Sequence, residues 1–177
     1  MRNLVIVAHP DDEILGFGAT GSKLATAGEK VQALILCGNV DARTQRPSDK
    51  DLYEDIQAAN QLAGFMPPIL GQFPNIKLNT VPHLDLVQFI EAQVACFRPT
   101  RIFTHHPGDL NDDHLQVARA ASAATRLFQR RSDVVPPRSL HTIEIPSSAS
   151  RSATGISNCS TLLRSTLRFF DFAVTED

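Results

Sequence analysis

Cysteine is scarce in this sequence of 177 residues, and its three cysteines lie far apart with no Cys-x-x-Cys pair. That pattern argues against a disulfide framework and a cysteine-type zinc site, and it favours reduced thiols in the cytoplasm. Cys37 and Cys96 lie in apolar segments, so we expect both in the core. No apolar run approaches the ~20 residues that cross a membrane. The first apolar stretch is short and leads straight into acidic residues, so we expect no signal peptide.

The sequence also lacks a large net charge. It contains 17 Lys and Arg residues and 19 Asp and Glu residues, which gives a formal net charge of −2 at pH 7. The chain therefore lacks the basic surface that nucleic-acid binding requires, and it has no acidic tail. Its length fits one domain with a core of its own.

Apolar segments of strand and helix type alternate along the chain. Strands are predicted at 3–8, 30–37, 100–104 and 139–145, with a short strand or edge segment at 67–73. Helices are predicted at 15–28, 51–64, 83–97 and 112–130, and a polar loop at 38–50. The helix over 83–97 is expected to bury one stripe, formed by Leu84, Val87, Ile90, Val94 and Phe97. This alternation predicts an α/β fold, with a mostly parallel sheet and helices on both faces.

The C-terminal part of the sequence is different in character. Residues 147–165 contain seven serines and no clear apolar period. We therefore predict a domain over residues 1–148, followed by an atypical, serine-rich tail over 149–177.

A histidine and three consecutive acids follow the first predicted strand, in the segment AHPDDE. Adjacent carboxylates repel one another unless a cation lies among them. A turn at the end of the strand can direct His9 and Asp12 to one point, with Asp11 beside them. Imidazole and carboxylate ligands with an open position suit catalytic zinc. The alternative is that these acids only stabilise the N-terminus of the following helix, which accounts well for Glu13 but not for the histidine.

A second motif overlaps the first. Residues 16–21, GFGATG, match the dinucleotide pattern GxGxxG, and Asp41 follows about 20 residues later. In a dinucleotide site the first glycine directly follows the strand, whereas here seven residues intervene. A pyrophosphate would also face three carboxylates. We therefore expect these glycines to serve close packing between helix and sheet.

Three of the six histidines lie in the segment THHPGDLNDDH at 104–114. Its alternating acids resemble the start of a calcium loop, but the sixth position is His114 and the twelfth is Ala120, where glycine and glutamate belong. His114 could complete a His/Asp/His metal site, and Asp109 or Asp113 could hydrogen-bond a neighbouring imidazole. Both polar segments follow predicted parallel strands, so they should meet at one sheet edge. For His83 and His141 we expect plain exposure to water.

Together, AHPDDE after an N-terminal strand and the later HHPGDLNxDH resemble the PIG-L/LmbE-like zinc-dependent N-acetyl sugar deacetylases, over roughly residues 1–148. The resemblance implies a Rossmann-like α/β fold and one Zn²⁺ held by His9, Asp12 and His114. It also implies that Asp11 acts as general base on a zinc-bound water. The position of Asp113 corresponds to an aspartate that orients a catalytic histidine. The implied substrate is an N-acetylglucosamine-type sugar or conjugate, and the implied assembly is a homo-oligomer.

The sequence departs from that family pattern at several positions. Many members carry a histidine where this chain has Asn111 and an arginine where it has Tyr53. We therefore nominate His106 or Asn111 as the donor to the oxyanion, with His105 as a further option. Arg43 or Arg46 could replace the arginine, and Asn39 and Asp41 could bind sugar hydroxyls. After about Ser148 the chain lacks the tryptophan-containing stretch of the family, so it is expected to be truncated or altered there.

Two other interpretations compete with a deacetylase. The altered tail could leave a protein that binds metal without catalysing a reaction. Less favoured is a metal-free nucleotide-binding Rossmann module, which would be stabilised by NAD and not by zinc.

Overall fold

The computed structural model describes residues 1–38, 48–146 and 148. Five strands occupy β1 (Arg2–Val7), β2 (Lys30–Ile35), β3 (Met66–Leu70), β4 (Arg101–His105) and β5 (Ser139–Ile143). Five α-helices occupy α1 (Asp12–Leu15), α2 (Gly18–Thr26), α3 (Asp49–Leu62), α4 (His83–Phe97) and α5 (Asp112–Ala124). Short 3₁₀ turns cover Leu78–Thr80 and Leu127–Gln129.

The five strands form one parallel sheet in the order β3-β2-β1-β4-β5. This is the expected α/β architecture, and the prediction of a mostly parallel sheet is confirmed. The order places β1 in the middle with β2 and β4 beside it, so the chain reverses direction across the sheet at β1. Ligands of such folds bind beyond the carboxyl ends of the strands at this point.

Helices cover both faces of the sheet because alternate residues of the central strand are apolar on both sides. Leu4 and Ile6 of β1 pack with the buried side chains of α4 and α5. Val5 and Val7 face the opposite way, into a second core with Phe17, Ile56 and Phe65. All four β1 side chains are fully buried. The two cores fix β1 on both sides, which makes its carboxyl end a rigid base for the residues that follow.

The glycines of the GxGxxG segment serve close packing. A Cβ on Gly21 would lie 2.3 Å from the ring of Phe65, and one on Gly16 would lie 2.6 Å from Ile145. Phe17 between them is 2 % exposed and its ring lies 4.3 Å from that of Phe103. A side chain at Gly16 or Gly21 would therefore have to displace Ile145 or Phe65.

Several sequence predictions need correction. The helix predicted over 15–28 corresponds to α2 alone, and α1 precedes it as a separate short helix. The helix predicted over 112–130 ends at Ala124. Leu84 is 61 % exposed, and Leu86 takes its place in the buried stripe of α4. Cys96 is exposed on the same helix, although Cys37 is buried as expected. Leu84 and Leu86 flank the stripe of Val87, Ile90 and Val94 on opposite sides. Apolar periodicity alone does not decide which flank is buried, which is the physical reason for the error at Leu84.

Some predictions fall outside the described residues. These are the tail over 149–177 with Cys159, and the loop residues proposed to bind substrate, namely Asn39, Asp41, Arg43 and Arg46. Within the described ranges, no helix combines the length and apolar character that crossing a membrane demands.

Candidate metal centre

The sheet brings the two polar segments together at its carboxyl edge. β1 ends at Val7 and His9 follows two residues later, while β4, paired directly with β1, ends at His105. α5 then begins at Asp112 and places Asp113 and His114 in its first turn. His9, Asp12, Asp113 and His114 are all buried, between 2 % and 8 % exposed. Residues about 100 positions apart in sequence therefore share one enclosed site.

Three ligand atoms converge in this site, one each from His9, Asp12 and His114. Asp12 Oδ2 lies 3.2 Å from His114 Nε2 and 3.4 Å from His9 Nδ1. The two imidazole nitrogens, His114 Nε2 and His9 Nδ1, are 3.3 Å apart. The atoms thus form a nearly equilateral triangle of two nitrogens and one carboxylate oxygen.

Each imidazole is held from behind by a carboxylate. His9 Nε2 lies 2.9 Å from Asp113 Oδ2, and His114 Nδ1 lies 3.1 Å from Asp109 Oδ2. An ionised carboxylate can only accept, so the outer nitrogen of each ring carries a proton and donates it. In a neutral ring the inner nitrogen then presents a lone pair to the centre. Carboxylate–histidine pairs of this kind orient the ligands of protein metal sites.

The triangle has the dimensions of one face of a tetrahedral zinc site. Nitrogen and oxygen ligands lie about 2.0–2.1 Å from Zn²⁺, and two such ligands of a tetrahedron lie about 3.3–3.4 Å apart. The three distances of 3.2, 3.3 and 3.4 Å fall at this value. The donor set of two imidazoles and one carboxylate also suits zinc. The residues present therefore fit a divalent cation with a fourth position left open.

The electrostatics of the cluster also favour a cation. Burial opposes a charge on His9, but its hydrogen bonds to Asp113 and Asp12 prevail and raise its pKa to about 9. Likewise, burial is outweighed for His114 by Asp12 and Asp109, so its pKa is raised. Burial favours the neutral form of Asp12, yet hydrogen bonds from His114 and His9 lower its pKa. The cluster thus binds protons strongly where no metal ion competes for the same lone pairs.

Asp113 has a different partner from the one implied by the family resemblance. The resemblance implies that it orients a catalytic histidine, whereas in the structure it accepts a hydrogen bond from His9, one of the three converging residues. It also accepts the backbone N–H groups of Ile76 at 2.7 Å and Leu78 at 3.0 Å. These bonds fix the carboxylate, and through it the ring of His9. The family's histidine position is occupied here by Asn111, so Asp113 has no catalytic histidine to orient at that position.

From the sequence, His105 is only a further option as the oxyanion donor. In the structure it is fully buried beside the three converging ligand residues. Its ring stacks on that of His114, with centroids 3.9 Å apart and planes 8° from parallel. The backbone N–H of Ala8 donates to its Nε2 at 2.9 Å. That bond occupies the Nε2 lone pair, and burial lowers the pKa of His105 to about 3. His105 is therefore a neutral packing partner of His114, which no sequence signal distinguishes from a ligand.

Asp11 lies between His9 and Asp12 in an unusual backbone conformation, with φ of 99°. Such a φ is uncommon for any residue but glycine, and it is found where surrounding contacts enforce it. Its backbone N–H donates to Glu13 Oε2 at 3.1 Å. Asp11 is exposed, unlike its neighbours Asp12 and Glu13.

His106 and Asn111, the nominated oxyanion donors, lie on the loop before α5. The N–H of Gly108 donates to His106 Nδ1 at 3.0 Å, so in the neutral ring Nε2 carries the proton. Asn111 is the N-cap of α5, and its side-chain oxygen accepts the N–H of Asp113 at 3.0 Å. That cap leaves the amide nitrogen of Asn111 as a donor. Both residues therefore keep a side-chain N–H group that can donate a hydrogen bond.

Comparison with known proteins identifies the family of the chain. The family described as PIG-L, GlcNAc-PI de-N-acetylase, matches residues 4–125, which is more than half of the chain. An uncharacterized deacetylase of Escherichia coli K12, YaiS, is 33% identical over 135 residues, covering 70% of this chain and 67% of that protein.

Two solved structures show the same fold at lower identity. The conserved protein TT1542 from Thermus thermophilus superposes with a TM-score of 0.70 at 21% identity, covering 94% of this chain and 79% of that chain. The N,N'-diacetylchitobiose deacetylase from Pyrococcus horikoshii superposes with a TM-score of 0.66 at 16% identity, covering 94% and 67%.

Proposed function

Because the chain belongs to the PIG-L family of deacetylases, we propose that it is a zinc-dependent hydrolase that removes the N-acetyl group from an N-acetylglucosamine-type sugar or conjugate. The observation that carries the proposal is the triangle of His9 Nδ1, Asp12 Oδ2 and His114 Nε2, with sides of 3.2–3.4 Å. Those three residues would hold the metal ion. When bound, a divalent cation supplies Lewis-acid polarisation of the acyl oxygen and lowers the pKa of a bound water.

The protein's own residues account for the proton transfers. In the proposed reaction Asp11 accepts a proton from the attacking water as a C–O bond forms at the acetyl carbon. It then returns that proton to the nitrogen as the C–N bond breaks, giving acetate and a free amine. A base for this purpose must not be tied up as a ligand, and Asp11 lies outside the three converging side chains.

The developing oxyanion needs a donor from the protein. The amide nitrogen of Asn111 and Nε2–H of His106 remain the two candidates. We favour Asn111, because its side chain is the more rigid of the two. It caps the N-terminus of α5, the helix that carries His114, and accepts the N–H of Asp113. The ring of His106 lies on the preceding loop, where it accepts the N–H of Gly108 two residues away.

The substrate class follows from the relatives rather than from the described residues. The Pyrococcus protein with the same fold is named as a deacetylase of an acetylated disaccharide. We therefore propose a small N-acetylated sugar or glycoconjugate as substrate, in a cytoplasmic setting that suits the unpaired thiols of Cys37 and Cys96. Assembly into a homo-oligomer stays a prediction.

Two measurements on the purified chain test the proposal. Metal content by atomic emission should give one zinc per chain, and incubation with N,N'-diacetylchitobiose and other N-acetylglucosamine derivatives should release acetate. Zinc without acetate from any of them would favour the catalytically impaired homologue. Thermal stabilisation by NAD and not by zinc would favour the nucleotide-binding module and refute the proposal.

A further inference from the structure

Glu13 is a buried carboxylate with no part in the proposed chemistry. It is 1 % exposed, and burial raises its pKa to about 7. Burying a carboxylate is costly unless hydrogen bonds compensate for the lost hydration. An acid that only stabilised the N-terminus of α1 would do so equally well at the surface. The position of Glu13 therefore needs another explanation.

The two oxygens of Glu13 join α3 to the turn at Asp11. Asn60 Nδ2, on α3, donates to Glu13 Oε1 at 2.9 Å, and the backbone N–H of Asp11 donates to Glu13 Oε2 at 3.1 Å. Asn60 is itself completely buried, and its Nδ2 also donates to the carbonyl of Ile56 at 2.9 Å. Asn60 is thus held by its own helix and presents its amide group to Glu13 in a fixed orientation.

The turn that receives this connection is the strained one. Asp11 has a φ of 99°, and such a conformation persists only where neighbouring contacts determine it. Glu13 supplies one of those contacts directly, and Asn60 keeps Glu13 from rotating away. Ile56 packs α3 against the buried core that contains Val5, Val7 and Phe65. Asn60 therefore holds Glu13 from a helix that is anchored in the core.

We propose that Asn60 and Glu13 are positioning residues that hold the backbone of Asp11, and through it the orientation of its side chain, relative to the three metal-binding residues. The inference rests on the proposed function, because it assumes that Asp11 is the base. Neither residue touches the substrate in this account. Their role is to fix an angle, and a displacement of about 1 Å at a reacting group can reduce a rate by about 100-fold.

The first test is Asn60→Leu, which keeps the volume and removes the donor to Glu13. With N,N'-diacetylchitobiose as substrate, kcat should fall by about 10-fold to 100-fold while KM stays within about twofold. Zinc content should remain at one per chain. Glu54→Gln, an exposed change on the same helix, is the control and should leave all three values unchanged. Unchanged kcat in Asn60→Leu overturns the proposal, and so does loss of zinc, which would make Asn60 a support of the metal site.

A second readout does not depend on turnover. Amide hydrogen exchange at Asp11 should accelerate by at least about tenfold in Asn60→Leu, although Asn60 makes its bond to Glu13 and not to Asp11. If the exchange rate of the Asp11 amide is unchanged in Asn60→Leu, the proposed support of Asp11 by Asn60 and Glu13 is overturned, even where acetate is released normally. If the unmodified chain binds zinc but releases no acetate, the proposed function fails. The exchange measurement still decides whether Asn60 and Glu13 hold the backbone of Asp11.

A second variant keeps the test informative if Asn60→Leu does not fold. Glu13→Gln leaves one acceptor oxygen for two donors, Asn60 Nδ2 and the N–H of Asp11, and should lower kcat and accelerate amide exchange at Asp11. Glu54→Gln is again the control, because it makes the same chemical change at the surface. Glu13→Gln with both values unchanged would overturn the proposal.

Discussion

Replacing Asp113 with Asn tests whether the carboxylates behind the imidazoles support the metal. Asp113 accepts three hydrogen bonds: Oδ2 accepts from His9 Nε2 and the N–H of Ile76, and Oδ1 accepts from the N–H of Leu78. Asparagine keeps the shape but retains only one acceptor oxygen. One side of the carboxylate therefore becomes a donor that faces another donor, and His9 loses its charged partner.

The expected loss of metal affinity is about 10-fold to 100-fold, since removal of a partner behind a metal-binding histidine has that effect. In free energy this is about 1.4–2.7 kcal/mol. At low pH, part of this loss of zinc affinity is offset by weaker competition from protons. Asp113 helps to raise the pKa of His9 to about 9, so Asp113→Asn lowers that pKa and weakens the competition from protons. The deficit should therefore be larger at about pH 8.5 than at about pH 6.5.

The assay is competition for zinc with a coloured chelator of known affinity, on the metal-free protein at both pH values. Asp112→Asn is the matched control, because Asp112 is the exposed neighbour of Asp113 in the first turn of the same helix. It should bind zinc as the unmodified chain does. Asp113→Asn with zinc affinity within about twofold of the unmodified chain at about pH 8.5 would refute this reasoning.

Four other variants or conditions probe the same geometry. Asp11→Asn should keep one zinc per chain by atomic emission and lose acetate release by at least about 100-fold, because the proton acceptor is gone. His114→Ala should lose the zinc, since one of three ligands is missing. Zinc affinity should rise at least about tenfold per pH unit up to about pH 9, because the raised pKa values of His9 and His114 leave protons to displace. Gly21→Ala should lower the free energy of unfolding by about 1–3 kcal/mol in urea titration, since its Cβ would overlap the ring of Phe65.

Each of these predictions has an outcome that contradicts it. Turnover that survives in Asp11→Asn while zinc is lost would reverse the assigned roles. Full zinc content in His114→Ala would remove that residue from the ligands. A zinc affinity independent of pH between about 6 and 8 would mean that no histidine proton is displaced. Unchanged stability of Gly21→Ala would show that Phe65 moves aside without cost.

The sheet could be predicted from sequence because β1 and β2 are short apolar runs bounded by polar residues. The break between α1 and α2 could not, because residues 12–26 have no proline and Gly16, which ends α1, is also part of the GxGxxG segment. Leu84 and Leu86 are equally apolar, and only the rotation of α4 about its own axis decides which of them is buried. The expectation that Cys96 lies in the core is wrong for the same reason.

The three converging residues could be proposed from sequence because each follows a parallel strand at the same edge. The supporting contacts could not. Asp109 and Asp113 are both plausible partners of an imidazole by spacing, and only coordinates assign Asp113 to His9 and Asp109 to His114. The neutrality of His105 depends on its burial beside the site, and the link from Asn60 to Glu13 joins residues 47 positions apart. Such contacts carry no local sequence signal.

The most direct measurement of the central claim is an anomalous difference map at the zinc edge, from crystals of the zinc-loaded protein. We expect one strong peak about 2.0–2.2 Å from each of His9 Nδ1, Asp12 Oδ2 and His114 Nε2. A zinc peak bound by other residues, or crystals of active protein with no peak between these three atoms, would contradict the account.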